Sequence, residues 1–141
     1  MTRTKKTGMR VRGGRLAVVG ALGLAAVTAA AVPAFAKGDL ALTAPHTAKV
    51  GQTYTVSAHG DDDAATYLRT CLDSRTGKQA WHQVSCGSAV RTGTDATDTA
   101  HIKASHKGAQ QYRARVLGLT SKTDHHPVVE RTSSTTTVTI R

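Results

Sequence analysis

Polar and apolar residues alternate along most of the chain beyond residue 37. "QTYTVSA" (52–58) sets Tyr54, Val56 and Ala58 on one side and Thr53, Thr55 and Ser57 on the other. "TYLRTCL" (66–72) sets Leu68, Thr70 and Leu72 against Tyr67, Arg69 and Cys71. "DTAHIKA" (98–104) sets Ala100, Ile102 and Ala104 against Thr99, His101 and Lys103. "QYRARV" (111–116) sets Tyr112, Ala114 and Val116 against Arg113 and Arg115. "DLALTAP" and "TTTVTI" do the same with Leu40 and Leu42, and with Val138 and Ile140. A period of two gives a strand one apolar and one wet side, as in sheets packed on one face. Thr, Val and Tyr also suit a pleated surface. Turn residues separate the runs, in "HGDDD", "SRTGK", "RTGTD", "SHKG" and "SKTDHHP". No segment beyond residue 37 carries a helical stripe. Short strands between turn signals predict an all-β domain, a small antiparallel sandwich or barrel.

The first 36 residues follow another rule. Arg3, Lys5, Lys6, Arg10, Arg12 and Arg15 precede an Ala-rich apolar run over 16–32, which is 17 residues long. Pro33 and Ala34-Phe35-Ala36 follow. A basic start, a short apolar middle and small residues two apart predict a helical secretory signal peptide over 1–36. A membrane span wants about 20 strongly apolar residues. The expected cut lies between Ala36 and Lys37, with a cut after Ala34 as the alternative. No Arg-Arg pair supports the twin-arginine route, and no Cys near the cut supports a lipid anchor. The domain is then 37–141, secreted, with no membrane span after cleavage.

Removing the leader changes the charge argument. The whole chain is +10, but six of its 19 basic residues and none of its acids lie in the leader. The remainder holds 13 Lys and Arg against nine Asp and Glu, or +4. That is an ordinary charge for one small domain, so specific nucleic-acid binding is not expected. The 105 residues from Lys37 onward carry Tyr54, Tyr67, Trp81 and Tyr112 as their aromatics, which predicts a thin core in need of support. Cys71 and Cys86 supply it as one disulfide, the usual reading of two cysteines in an exported chain. Absent Asn, scarce Ile and abundant Ala, Gly, Thr and Arg point to a GC-rich bacterial genome.

Three runs carry a resemblance: "VGQTYTVSA" (50–58), "KGAQQYRARV" (107–116) and "TSSTTTVTI" (132–140). They resemble, in order, the second, sixth and closing strands of bacterial immunoglobulin-like domains. The resemblance implies a small antiparallel immunoglobulin-like β-sandwich over 37–141. The cysteines depart from it. In antibody-type domains the pair joins two sheets across a long gap, whereas Cys71 and Cys86 are close enough to form a local staple.

The staple has its own difficulty. "SRTGK" reads as a tight turn with Gly77 in the left-handed position. Pairing Ser74 with Lys78 would set Cys71 opposite Trp81, leaving Cys86 five residues away, roughly 17 Å along a strand. That is too far for a bridge. Either the chain leaves the hairpin after Trp81, or the loop is wider and Cys71 faces Cys86 directly.

Candidate chemistry is sparse. His125 and His126 are adjacent, so on a strand they would point apart rather than share a metal. Asp61-Asp62-Asp63 offers hard oxygens, but no calcium-loop spacing follows; a charged turn protecting a strand end is expected. Neither G-x-S-x-G nor H-E-x-x-H occurs. No catalytic, cofactor or metal residue is assigned, and no enzyme is expected. Arg113 and Arg115 would form a basic stripe with His101 and Lys103 if their strands are neighbours; a solvated sheet face is expected, and contact with an acidic polymer such as teichoic acid or extracellular DNA is the alternative.

The segment between the cysteines holds the candidate partner contacts Arg75, Lys78, Trp81 and His82, opposed by Asp73. Trp and Arg dominate binding hot spots, and a tethered loop loses less entropy on binding. The competing role for Trp81 is to cap the open end of a thin core. The expected function is a secreted, non-catalytic immunoglobulin-like module that meets a cell-surface, cell-wall or other extracellular partner. The alternative is a small secreted protease inhibitor or ligand carrier.

Overall fold

Cross-strand pairing sorts the alternating runs into two sheets. A computed structural model describes residues 38–141. The expected signal peptide and its cut between Ala36 and Lys37 lie outside the described residues. Within them the chain forms strands and turns and no helix. The strands are β1 (Gly38–Thr43), β2 (Thr47–Ala48), β3 (Thr53–Asp62), β4 (Tyr67–Thr76), β5 (His82–Cys86), β6 (Val90–Arg91), β7 (Ala96–Lys103), β8 (Gly108–Leu119), β9 (Val128–Thr132) and β10 (Thr136–Ile140).

The smaller sheet runs β1-β3-β7 and is antiparallel throughout. The larger runs β2-β10-β8-β4-β5, with β6 beside β4 and β9 beside β8. Its pairs are antiparallel except that β2 lies parallel to β10. Between β1 and β2 the chain leaves one sheet for the other, and Pro45 sits in that step, where its missing N–H costs no ladder bond.

Alternation correctly assigns the inward side. Tyr54, Val56 and Ala58 of β3 are buried, as are Leu68 and Leu72 of β4, Tyr112, Ala114 and Val116 of β8, and Val138 and Ile140 of β10. Residues of both sheets join in one apolar cluster around Val56, Leu72 and Val138. A smaller one holds Leu68, Ala96 and Val116.

The core is thin, and its support is not the disulfide alone, which lies inside the larger sheet. Polar groups tie one sheet to the other. Thr70 Oγ1 donates to the Ala96 carbonyl at 2.8 Å, and Ser85 Oγ donates to Asp98 Oδ2 at 2.6 Å. Arg131 Nε of β9 donates to Asp62 Oδ2 of β3 at 2.6 Å. Such bonds contribute about 1 kcal/mol each, more where a charge is involved. Asp62 is therefore not part of an exposed charged turn. β3 continues through it, and the turn starts at Asp63.

Four strands carry no clear alternating signal. β2 and β6 are two residues long, and edge strand β5 (HQVSC) is too polar. β9 pairs with one half of β8 and β10 with the other, so the expected closing strand over 132–140 is shorter: β10 covers 136–140, residues 133–135 connect it to β9, and Thr132 already belongs to β9. The Ser133 hydroxyl accepts the Ala114 N–H at 2.8 Å, filling the break in the ladder. The end of β8 breaks period two. Leu117, Gly118 and Leu119 are all buried because Leu117 and Leu119, on the outer side, pack with Tyr67 and the disulfide.

Candidate functional site

β4 and β8 run side by side with ten paired residues, and their outward residues are unusually charged. Cys71 faces Arg115, Asp73 faces Arg113, and Arg75 faces Gln111. An arginine is long enough to reach along its strand, so one acid can serve two of them. Asp73 Oδ2 accepts from Arg113 Nε at 2.9 Å and from Arg115 Nε at 2.7 Å, while Oδ1 accepts from Arg115 Nη2 at 2.7 Å. The Asp73 side chain is only 3% exposed although it lies on the outer face. Three charge-assisted bonds replace the water it loses. Arg115 Nη2 also lies 3.4 Å from Gln83 Oε1 on β5.

Trp81 lies against this network. The guanidinium carbons of Arg75 and Arg113 are 4.4 and 4.6 Å from its ring centroid. The attraction of cation for ring is worth about 0.5–1 kcal/mol at such partly exposed positions. Arg75 Nε also donates to Gln111 Oε1 at 2.7 Å, which fixes the guanidinium under the ring. Trp81 is partly exposed and belongs to none of the apolar clusters of the interior. The role of core cap is therefore overturned: the ring stands on the outer side of the sheet, on the arginines.

The loop that carries Trp81 is closed by the disulfide between Cys71 and Cys86. The two residues face each other directly in the β4–β5 register, with Cα atoms 4.0 Å apart. The wider loop resolves the difficulty in the sequence. Ser74 pairs with His82, not Lys78, and a register shift beside Leu72 absorbs one residue of β5. Gly77 is still left-handed, with φ 56°, in the turn closed by Gln79 N–H to the Thr76 carbonyl at 3.1 Å.

The four candidate contact residues are thus not one cluster. Arg75 and Trp81 are together on the outer face. Lys78 is exposed at the hairpin tip. His82 belongs to the other side of β5, its Nε2 2.9 Å from Ser74 Oγ. Sequence reasoning missed Asp73, Arg113 and Gln111 as the supports of Trp81. The available signal was acid on one alternating strand and base on another, but it needs the register to be read. The basic stripe with His101 and Lys103 does not form, because β7 lies in the other sheet.

The remaining polar clusters are local. Asp124 closes the loop between β8 and β9: Oδ2 accepts from the Thr120 N–H at 2.9 Å and Oγ1 at 2.8 Å, and Oδ1 from the His126 N–H at 2.8 Å. The Thr120 backbone bond, then that of His126, lowers its pKa to about 2. His125 and His126 are exposed in this loop. Among the described residues no three His, Cys, Asp or Glu side chains converge as a metal would require. No known family model matches the chain, and no curated protein matches it.

The outer face around Trp81 thus offers three guanidiniums and one indole against one carboxylate. It can stack a flat group on Trp81 and pair an anion beside it.

Proposed function

We propose that the chain is a secreted, non-catalytic immunoglobulin-like module that binds a cell-surface or extracellular partner through the β8-β4-β5 face around Trp81. The strand order supports the architecture. In immunoglobulin constant domains strands A, B and E share one sheet and C, F and G the other, and variable types add C′. Here β1, β3 and β7 occupy the first set, and β10, β8, β4 and β5 the second. Export rests on the tripartite leader and agrees with the disulfide.

One observation carries the binding reading. A partly exposed Trp is held by two guanidiniums on a hairpin tied by a disulfide. A pre-positioned ring loses little freedom on association. The test is binding of labelled protein to washed cells, purified wall and extracellular proteases, comparing wild type, Trp81→Ala and the remote surface variant Lys49→Ala. Trp81→Ala is expected to weaken binding by tenfold or more, on the order of a hot-spot residue. It should cost the fold no more than about 2 kcal/mol, the loss of two cation–ring contacts. Unchanged binding, or an indole closed to acrylamide together with a large loss of stability, would refute the assignment.

A further inference from the structure

The interior changes chemistry along its length. Around Leu68, Val56 and Leu72 it is aliphatic. Where β4 runs out toward Thr76 it is lined by hydroxyls. Tyr54 and Tyr112, both buried, meet oxygen to oxygen at 2.6 Å with their rings edge to face. Buried Ser74 lies beside them and bonds His82. On the facing strand β7 and just past its end, the neighbours of Ile102 on the inward side are Ala100 and Ala104. Methyl groups do not fill the gap between the sheets, and a cleft of about 550 Å³ opens there.

The cleft has a direction. Its floor is the tyrosine pair. Its walls include Val84, Ile102 and Ile140. Lys103, His106 and Lys107, all exposed, stand at its rim, and no Asp or Glu lines it. The floor also has a donor to spare. Two phenols carry two protons, and the bond between them uses one. Burial, then the bond to Tyr54, pushes the Tyr112 phenol well above its ordinary pKa.

We infer that this cleft binds a small organic anion: a carboxylate at the lysine rim, an apolar body along Val84 and Ile102, and a hydrogen-bond acceptor at the far end facing the tyrosines. The volume suits such a ligand, since small-molecule sites run from about 300 to 1,000 Å³. The site is separate from the Trp81 face and stands or falls independently of it.

The test uses protein recovered from expression of the full chain. It is titrated with 6-hydroxy-2-naphthoate and with the neutral 6-hydroxy-2-naphthamide, followed by methyl NMR. The carboxylate should move the Val84 and Ile102 methyls and bind roughly fivefold or more tighter than the amide, the sum of two partly exposed ion pairs. In Lys103→Gln/Lys107→Gln that preference should vanish while amide affinity is unchanged, and Trp81→Ala should bind both as wild type does. Equal affinity for the two probes in the wild type would overturn the inference. So would a preference that survives the double lysine variant, shifts centred on Trp81, or no binding at millimolar probe.

Discussion

The outer faces of the two sheets are written in the same alternating code, yet they are different surfaces. On the smaller sheet, Thr55, Ser57 and His59 of β3 pair across with His101, Thr99 and Thr97 of β7. Contacts there are few. Thr55 Oγ1 lies 3.2 Å from His101 Nδ1, and His59 Nδ1 lies 3.8 Å from Asp95 Oδ2 with both side chains more than half exposed. On the larger sheet, Asp73, Arg75, Arg113, Arg115, Gln83 and Trp81 hold one another in place. The difference is reach. A hydroxyl on Thr or Ser finds its nearest neighbour and water. An arginine spans strands, and two of them around one acid organise a surface. A wet face becomes a structured one when long charged side chains meet across a defined register.

The largest effect should come from removing the bond that ties β5 to this surface. Cys71→Ser/Cys86→Ser opens a loop with a sequence separation of 15, and on the chain-entropy model should cost about 3 kcal/mol. Denaturant unfolding measures it, and acrylamide should then quench Trp81 more readily. A loss below about 1 kcal/mol would mean that the arginine network holds β5 by itself.

A direct comparison of the two faces comes next. Asp73→Ala leaves Arg113 and Arg115 without their shared acceptor. Removing one partner of a fully buried pair costs about 3–5 kcal/mol. These guanidiniums are 29% and 21% exposed and can recover some water, so about 2–3 kcal/mol is expected. Thr55→Ala on the other face should cost under about 0.5 kcal/mol. Equal losses for the two variants would erase the distinction between the faces.

The smallest effect concerns order held by local bonds alone, in the loop closed by Asp124. Its folded pKa is about 2 against an ordinary 3.8. A depressed carboxylate pKa adds stability above the unfolded value, and that contribution is lost as pH falls toward the folded one. The amides of Thr120 and His126 should therefore lose protection from hydrogen exchange between about pH 4 and pH 2. Asp124→Asn should make that protection independent of pH over the same range. An acid loosening that persists in the variant would assign it to another group.

Much of the frame could be read along the chain. The turn at Gly77 was visible because few residues but glycine accept that backbone conformation. The disulfide was visible because two cysteines have only one possible pairing. Trp81 was legible as a conspicuous residue, but not its setting. Its supports, Arg113 and Gln111, come from a strand about 30 residues away. The hydroxyl-lined cleft was equally hidden, because Tyr54 and Tyr112 are 58 residues apart and meet only through packing.

By itself, the sequence determined which side chains of β3, β4, β8 and β10 turn inward, since the pleat imposes period two on any strand wherever it is placed. It also determined which cysteines pair. Only the tertiary structure decided which strands are neighbours and in what register. That choice separated Lys103 from Arg115, set Asp73 between two guanidiniums, moved His82 away from Trp81 and opened the space beneath Ile102. The physical reason is that these contacts join residues tens of positions apart. Their energies exist only once the chain has closed those loops, and a shift of one residue in register would exchange every partner.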